Sequence, residues 1–223
     1  GFRNEYHSLT ITKQGYLAAT SKMGTLIWEG NTYHNYIPWQ YTVHLPDWRD
    51  DSDRNQFRWT YLTILSGEHI PLSIEEKENG NLIFPNSGIK PDEELWLETG
   101  AVIELNIKTK SFVSYGINNN IIDGFGGIYN DAETNYMVIN QIEKDKIGNI
   151  WVTNPFCEKN GNMIAIQAED DGAWSHIHVP DENSYRPQTI AFDKSNRAWV
   201  GFAYESLGDT LYSSGGIKVL KYS

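Results

Sequence analysis

The sequence predicts an all-β fold built from repeated small antiparallel sheets, and three observations support this prediction. Apolar and polar residues alternate along much of the chain, as they do in strands that bury one face. No stretch has the spacing of an amphipathic helix. Aromatic residues make up 13% of the 223 residues, with 8 Trp and 13 Tyr, and flat rings pack well on a pleated surface.

One pattern of residues occurs four times and predicts the same unit each time. An alternating strand leads into a polar turn, an apolar strand follows the turn, and a second glycine begins a third strand. The turn residues are Gly15, Gly80, Gly148 and Asn196. Glycine supplies a positive φ at low steric cost, and Asn is the best substitute among the other residues. Each copy is therefore predicted to be one β-meander.

The third strand of each unit and the strand that closes it can be placed in chain order. Third strands are predicted at 24–30, 100–106, 161–167 and 215–221. Short aromatic strands are predicted to close the first three units, at 31–36, 110–115 and 172–177. The printed sequence stops at Ser223, before a fourth closing strand.

These strands define four units within a single predicted domain, residues 1–223. The units cover residues 5–36, 70–116, 136–178 and 186–223. The turn residues of the last two units are 48 positions apart, from 148 to 196, which is close to the length of a propeller blade. The wider spacing of the earlier units requires insertions, of which the main one is 37–69.

The segments DKIGNIWVTN (145–154) and DKSNRAWVGF (193–202) resemble the repeat of two-component-regulator propeller proteins. Asp and Trp-Val recur there at fixed spacing, with Trp151 and Trp199 at the Trp position. Gly148-Asn149 completes the motif in the first segment, and Asn196 replaces the Gly in the second. The first two copies are looser, with Ala18 and Ile83 at that position. The resemblance implies a β-propeller with four recognisable four-stranded blades. Either residues 1–6 complete the last blade, or the chain is part of a larger propeller, which we favour.

The resemblance also implies a location and a class of function. Such propellers occur in periplasmic sensor regions of hybrid histidine kinases and in surface proteins associated with type IX secretion. We therefore expect a non-enzymatic binding or scaffold module, in the periplasm or at the cell surface, with a protein or a surface polysaccharide as partner. A similar Gly-Asn-x-Trp sequence pattern occurs in streptogramin-lyase-like propellers. The alternative to a binding module is therefore an enzyme that uses His chemistry. A purely structural spacer is the third reading.

The candidate binding residues lie in the insertion 37–69. Loops on a rigid scaffold often carry function, and Trp and Arg are enriched among interface anchors. The candidates are Trp39, Trp48, Trp59, Arg49 and Arg58. The same segment has Asp51, Asp53 and Asn55 at alternating positions, like the start of a calcium loop. It lacks the Gly and Glu that such a loop needs at its sixth and twelfth positions, so no metal is expected.

Two other candidate features are read as structural. Trp151 and Trp199 recur with the unit and are predicted to pack between blades, because a position repeated with the blade is explained by the blade's core. His176 and His178 are two apart on a predicted outer strand and point to one face. No third metal ligand accompanies them in the sequence.

Composition excludes several other classes of function. The net charge is −11, from 18 basic and 29 acidic residues, and an acidic chain repels phosphate backbones. No nucleic-acid partner is therefore expected. The single cysteine, Cys157, excludes an intrachain disulfide. The Gly-rich segment 123–130 lacks the Lys-Ser/Thr ending of a phosphate loop, and no cofactor is expected. No apolar run approaches the ~20 residues of a membrane span.

Overall fold

The structure is a computed structural model of the chain. It describes residues 6–21, 24–29, 32–36, 73–85, 102–109, 111–115, 139, 141–155, 163–177, 179, 186–207 and 211–222. These residues form fifteen strands and no helix. The strands are β1 (Tyr6–Ile11), β2 (Leu17–Ser21), β3 (Gly24–Glu29), β4 (Thr32–Tyr36), β5 (Glu75–Glu76), β6 (Leu82–Pro85), β7 (Val102–Asn106), β8 (Ser111–Tyr115), β9 (Gln141–Lys144), β10 (Ile150–Thr153), β11 (Ile164–Gln167), β12 (Trp174–Ile177), β13 (Pro187–Phe192), β14 (Ala198–Leu207) and β15 (Leu211–Leu220). The all-β prediction is confirmed.

The strands form four antiparallel sheets, each a meander in chain order. Sheet 1 is β1-β2-β3-β4, sheet 2 is β5-β6-β7-β8, sheet 3 is β9-β10-β11-β12, and sheet 4 is β13-β14-β15. The predicted third strands and closing strands of sheets 1 to 3 coincide with β3, β4, β7, β8, β11 and β12. Sheet 4 has three strands among the described residues, and its β15 begins at Leu211, before the predicted start at 215.

The turn between the first two strands has the same geometry in every sheet. At the turn residues, φ is 85° at Gly15, 84° at Gly80, 97° at Gly148 and 58° at Asn196. Each of these residues donates its N–H to the carbonyl three positions earlier, over 2.8 to 3.2 Å. We call these four segments the first turns: 12–16, 77–81, 145–149 and 193–197. The repeat can be recognised in the sequence because the positive φ at each first turn requires Gly or Asn.

Each sheet has two faces, which the strand register separates. Face A carries the position occupied by Trp in the clearest copies, namely Ala18, Ile83, Trp151 and Trp199. Face B carries the side chains on the opposite side, such as Leu82, Ile150 and Ala198. Directly paired residues share a face, so the register assigns the remaining side chains.

The sheets stack through these faces, always with face A of one sheet on face B of the following sheet. Ala18 of sheet 1 is buried with Leu82 and Phe84 of sheet 2. Ile83 of sheet 2 is buried with Ile150 and Val152 of sheet 3. The third interface buries residues of sheet 3 against sheet 4: Trp151, Ile164, Ile166, Ile190, Val200 and Phe202. Three apolar interfaces of one kind therefore form the core.

Apolar side chains are exposed on the two outermost faces of this stack, although Ala19 on face B of sheet 1 is buried. On face A of sheet 4, Trp199 is 40% exposed and Ile217 is 71% exposed. On face B of sheet 1, Leu9 is 63% exposed and Ile11 is 71% exposed. Within the described residues no further face B lies against Trp199, so its packing between blades stays a prediction. The same prediction holds for Trp151, which is fully buried.

Candidate functional site

The residues predicted to bind a partner all lie outside the part of the chain that the structure describes. They are Trp39, Trp48, Trp59, Arg49 and Arg58. The insertion 37–69 thus remains a prediction. His178 lies outside the described residues as well. His176 lies on β12 opposite Ala165 and is half-buried.

The Asp of the repeat motif anchors both the first turn and the Trp ring. In sheet 3, Asp145 Oδ2 accepts the indole N–H of Trp151 at 3.1 Å, and Oδ1 accepts the Asn149 N–H at 2.9 Å. In sheet 4, Asp193 Oδ2 accepts the Trp199 indole N–H at 3.0 Å. This hydrogen bond is the main reason that the pKa of Asp193 lies well below its ordinary value. The Asp–Trp spacing of the motif is therefore structural.

Sheet 4 contributes a further donor to Asp145. The Tyr222 hydroxyl donates to Asp145 Oδ2 over 2.6 Å, and the Tyr222 ring lies 4.4 Å from the Trp151 ring, edge to face. Burial, reinforced by the adjacent Asp145 carboxylate, raises the pKa of Tyr222. The phenol therefore stays a donor at neutral pH. The sequence offered no signal for this contact, because Tyr222 follows the last strand and bonds to a different unit.

A buried ion pair lies at the interface between sheets 2 and 3. Lys77 Nζ donates to Glu104 Oε2 over 3.1 Å and to Gln167 Oε1 of sheet 3 over 2.9 Å. Asn81 and Tyr115 also donate to the Glu104 carboxylate, over 2.7 and 3.0 Å. Burial acts to raise the pKa of Glu104, but these hydrogen bonds and the Lys77 charge outweigh it and lower the pKa. Nothing in the sequence around Lys77 signals this burial, because the residues that surround its ammonium group come from distant strands.

The first strands of neighbouring sheets approach one another and are linked by side chains. The Ile142 N–H of β9 donates to Ser73 Oγ, beside β5, over 2.5 Å. Gln141 of β9 donates to the Ile190 carbonyl of β13 at 2.9 Å and accepts the Ile190 N–H at 3.0 Å. Its amide thus imitates one step of strand pairing across two sheets. The edge formed by the first strands is therefore firmly held.

Two partly buried carboxylates, Glu75 and Glu143, also lie on these first strands. Burial raises the pKa of Glu75 to about 7, the nearby Glu143 charge adds to the effect, and Lys144 opposes it. Burial also raises the pKa of Glu143, against a hydrogen bond from Gln141. A carboxyl whose pKa is raised in this way exchanges its proton more readily near neutral pH than an ordinary carboxyl does. Within the described residues, no group of three or more side chains could hold a metal ion.

The first turns of successive sheets are joined to one another on one side of the stack. Lys13 of sheet 1 donates its N–H to Glu76 Oε2 over 2.6 Å, and its Nζ lies 2.5 Å from Glu78 Oε2. The Lys144 Nζ of sheet 3 donates to the Glu76 carbonyl over 2.6 Å. The Lys146 N–H donates to Asn196 Oδ1 of sheet 4 at 2.9 Å. This row of turns is a continuous polar surface that couples all four sheets.

Comparison with known proteins identifies the fold. No protein-family model matches the chain, and no curated protein matches it at a significant level. Among solved structures, the chain is similar to PorZ, an essential surface component of the type-IX secretion system of Porphyromonas gingivalis. The identity is 15% and the TM-score 0.58, over 96% of this chain and 25% of PorZ. It is also similar to the extracellular domain assigned to a one component system of B. thetaiotaomicron. The identity there is 13% and the TM-score 0.52, over 99% of this chain and 22% of that chain.

At these identities the likeness establishes the fold alone, and it confirms at that level the resemblance seen in the repeat. The two solved structures belong to the classes that the repeat implied, a sensor's extracellular domain and a secretion-system surface component. The chain spans about a quarter of the length of either protein. A protein assigned as a gluconolactonase is similar only at a TM-score of 0.48, too low to bear on activity. Among the described residues, no helix could cross a membrane.

Proposed function

We propose that the chain is a segment of a β-propeller that acts outside the cytoplasm as a non-enzymatic binding or scaffold module. The four sheets are its blades, and the partner is a protein or a surface polysaccharide. The observation that carries the proposal is the uniform stacking of face A on face B. It builds a continuous stack of sheets, in a chain whose fold is similar to that of an extracellular sensor domain and of a secretion-system surface component.

The polar chemistry of the described residues serves to hold sheets together, which favours a scaffold over an enzyme. The Asp145 carboxylate is occupied by donors from its own turn, from Trp151 and from Tyr222. Glu104 is likewise occupied by Lys77 and its neighbours. Groups that are saturated by intramolecular partners have no lone pair or proton to offer a substrate.

A scaffold of linked sheets also favours binding through the loops that it carries. The first turns are tied to one another from sheet 1 to sheet 4, so loops that leave the sheets start from fixed points. A partner that binds such loops loses less ordering entropy than one that must fix a mobile scaffold. We assign contact with the partner to the insertion 37–69, through the aromatic anchors Trp39, Trp48 and Trp59.

A binding comparison tests this function. Biolayer interferometry against bacterial surface polysaccharides and purified outer-membrane proteins would compare three chains: the wild type, a variant with all three insertion tryptophans replaced by Ala, and a Val113→Ala control. Val113 is exposed on β8 and lies outside the insertion in the sequence. We expect the triple variant to bind its partner at least ~10-fold more weakly, a loss of about 1.4 kcal/mol, and the control to bind normally.

Three results would overturn the proposal. Equal binding by the triple variant and the wild type would remove the insertion from the site. Turnover of a lactone or glycan panel that is abolished by His176→Ala, or by replacing one of the other histidines, would establish the lyase-like alternative. The chain would be a structural spacer if it bound none of these polysaccharides and proteins, and if replacing residues 41–65 by a Gly-Ser linker changed no binding signal.

A further inference from the structure

The first strands of sheets 2 and 3 meet at a contact that two hydrogen bonds cross. The Ile142 N–H of β9 donates to Ser73 Oγ over 2.5 Å, and Lys144 Nζ donates to the Glu76 carbonyl over 2.6 Å. We call this contact, between residues 73–76 and 141–144, the β5–β9 joint. The two sheets part at this joint only when both of these bonds break.

The charges at the joint do not balance. Glu75 is partly exposed and lies on β5, which packs against β6 and β9. From β9, the charges of Glu143 and Lys144 act on Glu75 in opposite directions, and β6 carries no titratable residue. The Lys144 ammonium group also bonds to the Glu76 carbonyl and lies 3.6 Å from Glu78 Oε1. Two carboxyl groups, from two sheets, therefore share one ammonium group that has other acceptors.

The neighbouring first turns do not supply the missing positive charge. Lys13 Nζ of sheet 1 lies 2.5 Å from Glu78 Oε2. Lys77 Nζ donates to Glu104 Oε2 over 3.1 Å and is buried. Both ammonium groups are thus engaged by carboxylates of their own, and neither neutralises the carboxyl groups at the joint.

A proton on Glu75 removes the excess negative charge. Burial and the Glu143 charge raise the pKa of Glu75 to about 7, and burial raises the pKa of Glu143 as well. When the joint opens, water reaches Glu75, and its pKa returns towards the ordinary value of 4.5. The closed joint therefore favours the protonated carboxyl. This advantage is fully present below pH 4.5 and is lost as pH rises through about 7.

We propose that the β5–β9 joint is a pH-sensitive device, closed in acid and loosened at neutral and alkaline pH by repulsion between the carboxylates of Glu75 and Glu143. The opening separates two sheets and leaves the strand pairing within each sheet intact. It is independent of the proposed function, because it uses neither the insertion nor a partner.

Amide hydrogen exchange, followed residue by residue by NMR at pH 5 and pH 8 and corrected for the intrinsic rate, measures this opening. The Ile142 amide reports the joint, because its hydrogen bond to Ser73 crosses it. The Asn154 amide reports sheet 3 itself, because it donates to the Met163 carbonyl at the start of β11. Circular dichroism checks that every variant is folded.

Two variants separate the Glu75 carboxyl from other effects of pH. Glu75→Gln keeps the shape of the side chain and removes the titrating group. Asp170→Asn is the matched control, since Asp170 is an exposed carboxyl in the turn before β12. A dependence on pH that comes from Glu75 is lost in the first variant and kept in the second.

We expect the Ile142 amide to be ~10-fold less protected at pH 8 than at pH 5, after allowance for solvent screening of the partly exposed carboxyl. We also expect it to be less protected than the Asn154 amide at both pH values. Protection of Ile142 that does not change with pH, or that changes equally in Glu75→Gln, would overturn the proposal. Equal protection of Ile142 and Asn154 would also overturn it, because the joint would then open only when sheet 3 unfolds.

Discussion

Glu75 is expected to destabilise the protein at neutral and alkaline pH, and its replacement by Gln tests this. The carboxyl lies on face A of sheet 2, where burial and the charge of Glu143 raise its pKa to about 7. A pKa raised in the folded state means that folding disfavours the charged form. The stability of the wild type therefore falls as pH rises from about 4.5 to about 7.

The magnitude follows from the two pKa values. The rise in pKa from the ordinary value of 4.5 to about 7 corresponds to a loss of about 3 kcal/mol in the free energy of unfolding at high pH. Glu75 is partly exposed, so solvent screening reduces this to about 1–2 kcal/mol. Glu75→Gln keeps the shape of the side chain and removes the charge. It should be more stable than the wild type by that amount at pH 8, and equal to it near pH 4.

Urea denaturation at several pH values, followed by Trp fluorescence, measures the difference. Glu78→Gln is the control, because the exposed Glu78 carboxylate accepts a hydrogen bond from Lys13 that lowers its pKa. Its stabilising effect is present above the ordinary pKa and is lost as pH falls, so this variant should be slightly less stable than the wild type at pH 8. A Glu75→Gln variant less stable than the wild type at pH 8, or a difference that does not change with pH, would refute the reasoning.

Two further pairs of substitutions test the stack by the free energy of unfolding. Trp151→Ala should cost about 3–5 kcal/mol, because it removes a fully buried ring, and Trp199→Ala only about 1 kcal/mol; equal losses would contradict the assignment of faces. Gly148→Ala should cost more than Gly15→Ala: both have positive φ, but a Cβ on Gly148 would lie 2.9 Å from Glu169 Cγ, whereas nothing lies within 4 Å of one on Gly15. A larger loss at Gly15 would show that φ strain alone decides the cost.

The strands and turns could be predicted from the sequence because their causes are local. Gly148 and Asn196 are needed where φ is positive, and alternation marks the strands on either side. The first turn of each sheet and the strands beside it therefore have a local signal in the sequence. The burial of Trp151 was predicted correctly for the same reason, since a repeated position belongs to a repeated contact.

What could not be predicted depends on neighbours that lie far away in sequence. Trp199 shares the motif of Trp151, yet its exposure is decided by whether another sheet follows. Lys77 and Glu75 lie in a charged run, and the sheet 3 residues that act on them, Gln167 and Glu143, are distant in sequence. In the sequence Gln141 is an ordinary polar strand residue, and its role becomes apparent only from its hydrogen bond to Ile190 of another sheet. Contacts between units leave no periodic signal in either unit.

The hydrogen bond from Tyr222 to Asp145 fastens the residues that follow β15 to sheet 3. Trimming the chain by a few residues at this end would remove no strand of sheet 4. It would instead unlock the Asp145 turn and uncover one edge of the Trp151 ring. Loss of the residues after β15 would thus destabilise sheet 3 as well as sheet 4. A shortened version of this segment has to retain Tyr222 to keep the contacts with Asp145 and Trp151.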